Sequence, residues 1–145
     1  MRRVFLTLLL TILSIQSQAS EKAIAKMHGY LVKVQFSYRD GNKDFKTQHE
    51  LIVNEDNQDW IPLTTGKEGV ALIGKLHKVE KGIFTTECMV VDTASMPVSI
   101  QRMGIVSELG KTAEIKSEYL QQKVKISLLA TPTEYTQGPA KITFP

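Results

Sequence analysis

The stretch His28–Asp40, "HGYLVKVQFSYRD", decides the fold. Tyr30, Val32, Val34, Phe36 and Tyr38 alternate with Leu31, Lys33, Gln35 and Ser37. A period of two with one apolar and one mostly polar face is the mark of a half-buried antiparallel strand. Asp40-Gly41-Asn42 follows with turn chemistry. "KDFKTQHELIV" then returns with Phe45, Thr47, His49, Leu51 and Val53 on one side. These two runs predict a hairpin.

The same pattern continues along the chain. "VALIGKLHKVE" and "GIFTTECMVVD" predict a second hairpin across Glu80-Lys81-Gly82, and "MPVSIQRMGIVSE" with "KTAEIKSEY" predicts a third around Leu109-Gly110-Lys111. "KVKISLLATP" is a last long strand, and "YTQGPAKITFP" a tail with room for one short strand. Between the first two hairpins, "NEDNQDWIPLTTGKEG" is a polar loop with a short edge segment at Trp60-Ile61-Pro62-Leu63, because proline cannot donate to a ladder. Helix is expected only at Glu21–Lys26 and in a turn near Ser117–Gln122. The fold class read from this is all-β: a single antiparallel β-sandwich or partly open barrel of about seven or eight strands.

The start of the chain, "MRRVFLTLLLTILSIQSQAS", has the layout of a secretory signal peptide. Arg2 and Arg3 precede the apolar run Val4–Ile15, and Ser17 and Ala19 are small residues at a cleavage site. The run is shorter than the ~20 apolar residues of a membrane span. Residues 1–19 are therefore expected to be removed, leaving 20–145 as one domain with no transmembrane segment, exported to the periplasm of a Gram-negative bacterium or secreted. The full chain has 18 Lys+Arg against 15 Asp+Glu, and without Arg2 and Arg3 the balance is close to neutral. The basic residues are scattered, so the concentrated patch needed for nucleic acid is missing.

Chemistry is sparse. Cys88 is the one cysteine, so no internal disulfide is available. On a strand it shares a face with Phe84, Thr86 and Val90 and reads first as a small apolar side chain. An intermolecular disulfide and a reactive thiol are the alternatives. Gly104–Thr112, "GIVSELGKT", has five residues between its glycines where a phosphate-binding loop has four. The acidic loop "NEDNQDW" lacks the glycine and glutamate positions of a calcium-binding EF-hand loop. No Gly-x-Ser-x-Gly elbow occurs, and no carboxylate pair is singled out as catalytic. Glu87 and Lys78 fall on the faces of apolar residues, against the pattern of an outer-membrane barrel.

The leading functional expectation is an exported, non-catalytic binding or adaptor module that serves an envelope assembly or inhibits another protein. Its interaction surface is expected at Trp60, Ile61 and Leu63, and no cofactor is expected. A copper- or zinc-handling protein is the alternative, with His28, His49 and Cys88 as candidate ligands. An enzyme whose site forms only in three dimensions is the third reading.

Overall fold

The computed structural model describes residues 26–136. The expected leader, the start of the expected N-terminal helix and the "KITFP" segment lie outside them. By its contacts the chain divides into a unit His28–Thr133, which carries nearly the whole of the strand framework, and a second unit drawn from both chain ends.

The described chain is built of strands and turns. The strands are β1 (Lys26–Asp40), β2 (Lys43–Asn54), β3 (Ile61–Pro62), β4 (Val70–Glu80), β5 (Ile83–Asp92), β6 (Ser99–Glu108), β7 (Ala113–Tyr119) and β8 (Gln122–Thr136). They form two four-stranded sheets with orders β2-β1-β8-β7 and β3-β4-β5-β6. The chain changes sheet only twice, from β2 to β3 and from β6 to β7. Within each sheet the chain-consecutive strands are hydrogen-bonded, and β8 closes beside β1. This is an up-and-down meander cut at two seams, so the sandwich and the partly open barrel describe one strand order.

Alternation delivers one face of each strand to the core. Val32, Val34, Phe36 and Tyr38 of β1 and Val124, Ile126, Leu128 and Ala130 of β8 meet Val70, Leu72 and Leu76 of β4 and Phe84, Cys88 and Val90 of β5. Phe36, Tyr38 and Phe45 form an aromatic cluster with ring centroids 5.7–6.3 Å apart, the spacing at which rings attract beyond simple burial.

The first hairpin has the predicted face, with Tyr38 opposite Phe45 and Val34 opposite His49. The second also forms, with Cys88 opposite Gly74. The third does not. β6 pairs with β5 throughout, Asp92 opposite Ser99 and Ile83 opposite Glu108, and β7 pairs with β8 in the other sheet. Leu109-Gly110-Lys111 is a turn, but one that crosses between sheets. Leu109 N–H donates to the Gly82 carbonyl at 2.9 Å and Gly110 N–H to that of Ala130 at 2.8 Å, pinning the corner to both sheets. Gly110 permits it with a φ of 77°. The expected helical turn near Ser117–Gln122 is instead strand to Tyr119, a tight turn at Leu120-Gln121, and strand again. Leu120 has a φ of 54° there, a conformation that costs an ordinary residue about 1 kcal/mol.

Gly74 shows how tightly the β3–β4 edge is packed. It faces inward, and a Cβ placed on it would collide with the buried Leu63 side chain and press on the Glu87 carbonyl oxygen. Leu63 is itself fully buried, so any shift it makes must disturb the core around it. Gly74→Ala is therefore expected to lower stability by about 1–3 kcal/mol, read as a lower urea midpoint with an unchanged slope.

Candidate functional site

Period-two geometry sorts the three residues expected to form an interaction surface. Ile61 is paired with Gly74, whose inner face it shares; it packs half-buried against the core. Leu63, on the same parity, is fully buried. Leu63 therefore presents no surface, and Ile61 only part of its side chain. Trp60 falls on the opposite parity, remains partly exposed, and borders a hollow of about 350 Å³ with Glu87, Arg102 and Gly104. Gly104 contributes to the hollow by having no side chain: a Cβ there would meet open space.

The metal candidates are not brought together. His49 lies opposite Val34, while His28 lies six residues back along β1, roughly 20 Å away at strand rise. Cys88 is buried in the other sheet. Burial pushes its thiol up to about 12, so at neutral pH it is protonated and a poor nucleophile. Native protein is expected to resist a thiol-specific reagent at pH 8, with one equivalent reacting in denaturant.

The outer faces of the two sheets differ in kind. On β2-β1-β8-β7, opposite charges meet across strands: Lys33 and Glu50 at 3.1 Å, Arg39 and Asp44 at 2.8 Å, Lys123 and Glu118 at 3.3 Å, and Lys125 and Glu114 at 3.1 Å, while Glu114 also pairs along β7 with Lys116 at 3.2 Å. Such exposed pairs add little stability, but they make a well-solvated face. On β3-β4-β5-β6 the outward rows are set by register. Ala71, Val91 and Ile100 form one row, and Ile73, Met89 and Arg102 the next. Lys75, Glu87 and Gly104 form the third, and His77, Thr85 and Val106 the fourth. Five apolar side chains thus adjoin across three strands. Ile100 is 58% exposed and Val106 71%. Among the described residues no ion pair joins two strands of this face.

A buried carboxylate forms the second notable cluster. Asp92, at the end of β5, is 1% exposed. Its Oδ2 accepts hydrogen bonds from Tyr38 OH (2.8 Å), Lys43 Nζ (2.8 Å) and Ser95 Oγ (2.9 Å). Its Oδ1 accepts from Lys43 Nζ (2.8 Å) and from the backbone N–H groups of Ala94 (3.0 Å) and Ser95 (3.1 Å). Burial alone would raise its pKa, but the bonds from Lys43, Tyr38, Ser95 and Ala94 outweigh it and hold the carboxyl at about 2, against 3.8 ordinarily. Burial and the neighbouring Asp92 carboxylate push the Tyr38 hydroxyl well above its usual range. Every acceptor direction of Asp92 is occupied, so the cluster is a lock between β1, β2 and β5 with no group free to act on a substrate. The sequence held a signal for it: Asp92 ends the inward series Phe84, Thr86, Cys88, Val90, a position where a carboxylate must find a cation.

Because the folded pKa of Asp92 lies below its unfolded value, its contribution is present above about pH 4 and is lost as pH falls toward 2. The loss is on the order of 2 kcal/mol. Asp92→Asn is expected to forfeit that stability already at neutral pH and to flatten the acid limb of a stability–pH curve between pH 4 and 2. Comparison of the chain with protein-family models, with curated proteins and with solved structures finds no match to any of them.

Proposed function

We propose that this chain is a non-catalytic binding module of the bacterial envelope whose working surface is the outer face and the β6 edge of the sheet β3-β4-β5-β6. The observation that carries the reading is the contrast between the two outer faces. One is laced with cross-strand ion pairs. The other adjoins Ala71, Ile73, Met89, Val91 and Ile100 with Trp60 and Arg102 beside them. Tryptophan, methionine and arginine around an apolar centre is the composition of a protein-binding patch. The leader-like start of the chain supports the exported setting.

The sheet edges specify the partner further. An unprotected edge strand invites pairing with another chain, and proteins guard edges with charge, proline or brevity. β3 is two residues long and contains Pro62. β2 directs Asp44, Lys46 and Glu50 outward, and β7 directs Glu114, Lys116 and Glu118. β6 runs for ten residues with Ile100, Gly104 and Val106 outward and only Arg102 and Glu108 as charges. The partner is therefore an extended, apolar protein segment that adds a strand beside β6 and sets a side chain into the hollow at Gly104.

The full chain, expressed in its own envelope with a photo-crosslinking residue in place of Arg102 or of Gln48, tests this. Crosslinking from position 102 to one partner, absent from position 48 on the opposite sheet, is expected. Ile100→Asp with Val106→Asp should weaken capture by tenfold or more while leaving the circular dichroism spectrum unchanged. Equal capture by the double variant would overturn the reading.

A further inference from the structure

Away from that surface, at one end of the sandwich, the turn Leu120-Gln121 and the β5–β6 connection enclose a hollow of about 530 Å³, with Asp40, Pro97, Ser99, Tyr119, Leu120 and Gln122 among its walls. That volume lies within the range of small-ligand sites. We propose that this hollow is a binding site for a neutral saccharide ring.

The polar wall is built before any ligand arrives. The Gln122 side chain donates from Nε2 to Asp40 Oδ2 at 3.0 Å and to Ser99 Oγ at 3.1 Å. Its Oε1 accepts from Ser99 Oγ at 3.2 Å and from the Gln101 amide. These bonds join the start of β8 to β6 and to the end of β1, so the amide, hydroxyl and carboxylate are held on strand ends.

Asp40 is the member with capacity to spare. The single Tyr38 proton lies 2.8 Å from Asp92 and 3.3 Å from Asp40, measured from the hydroxyl oxygen, so it serves Asp92 first. Asp40 Oδ1 accepts no hydrogen bond from the described residues, and it is free to take one from a ligand hydroxyl.

The apolar wall is exposed against ordinary preference. Tyr119 is 65% exposed and Leu120 84%. Leu120 also occupies a left-handed turn position that glycine fills without strain. A strained, solvent-facing leucine beside an exposed aromatic ring is kept at a loss of stability, the pattern found at ligand sites.

The ligand class follows from the two walls. A hydroxyl both donates and accepts, matching a wall that mixes amide N–H, hydroxyl and carboxylate groups. The C–H face of a sugar ring fits the flat face of Tyr119. Among the residues lining the hollow, Asp40 carries the one charge, and its carboxylate disfavours an anion.

The hollow meets β6 only at its first residue, Ser99, and none of Ile100, Arg102, Gly104 and Val106 of the β6 surface lines it, so it can be tested separately. Uniformly ¹⁵N-labelled protein would be titrated with maltotetraose, cellotetraose and N-acetylchitotetraose, and with N-acetyl-lysine amide as a cationic probe. At least one saccharide is expected to give saturable shifts at Ser99 and 119–122. Tyr119→Ala and Asp40→Asn should each weaken that binding about tenfold. Leu120→Gly should raise the melting temperature yet weaken binding, which a merely structural turn would not do. Ile100→Asp should leave the titration unchanged. The proposal is overturned if no saccharide gives saturable shifts, if only the lysine amide binds, or if binding survives Tyr119→Ala.

Discussion

The fold turns on one buried carboxylate. Asp92 brings a full negative charge inside the sandwich, where an unpaired ion would be strongly destabilising. It is tolerated because Lys43 at the start of β2, Tyr38 near the end of β1 and the backbone of 94–95 converge on it. Buried ion pairs add little net stability over apolar packing of the same volume, so its main effect is on uniqueness. A one-residue slip of β1 against β2 would turn Tyr38 to the outside and leave Asp92 short of a donor. The lock therefore fixes the hairpin register and joins the two sheets where the apolar core runs out. At the corner of Leu109 and Gly110, backbone bonds to Gly82 and Ala130 perform the same joining.

With the sheets held from within, their outer faces are free to diverge. The β2-β1-β8-β7 face carries paired charges at many of its outward positions, though Ile52 on β2 is exposed there too, and these charges solvate it and discourage edge pairing at β2 and β7. The β3-β4-β5-β6 face leaves apolar residues in water and its β6 edge without that protection. Burial between the sheets does not demand this, because Ile100 and Val106 point away from the core. Nor does strand formation, since β7 is a stable strand with charges in the corresponding outward positions. This asymmetry, unexplained by folding, is the physical basis of the proposed binding surface.

Much of this is legible in the sequence, and the failures have physical reasons. The alternation from Tyr30 to Tyr38 specifies β1 and its inner face because a single polar slip would bury a charge. Alternation does not say which strands pair. The Leu109-Gly110-Lys111 signal reads as a hairpin because a glycine turn between two periodic runs serves equally well to cross between sheets. Trp60, Ile61 and Leu63 share apolar character, which groups them, whereas the strand rule separates Trp60 from the other two. Pro62 marks the segment as a sheet edge, which says nothing about which of its side chains face inward. The need for glycine at position 74 is not readable, since it depends on Leu63 arriving from a different segment. The hollow near Tyr119 is not readable either, because its walls come from the ends of β1, β6, β7 and β8.

The lock and the end hollow are also connected, through the one proton of Tyr38. Asp92 and Asp40 both lie within reach of that hydroxyl, and the shorter contact goes to Asp92, whose charge Lys43 already balances. Were Tyr38 to turn fully to Asp40, the buried carboxylate would lose a donor it has no means of replacing from solvent, whereas Asp40, partly exposed, can draw on water. The arrangement of lower free energy leaves Asp40 under-supplied. A structural demand in the interior thereby sets the hydrogen-bonding character of a surface carboxylate, holding it ready as an acceptor without any further residue devoted to that task.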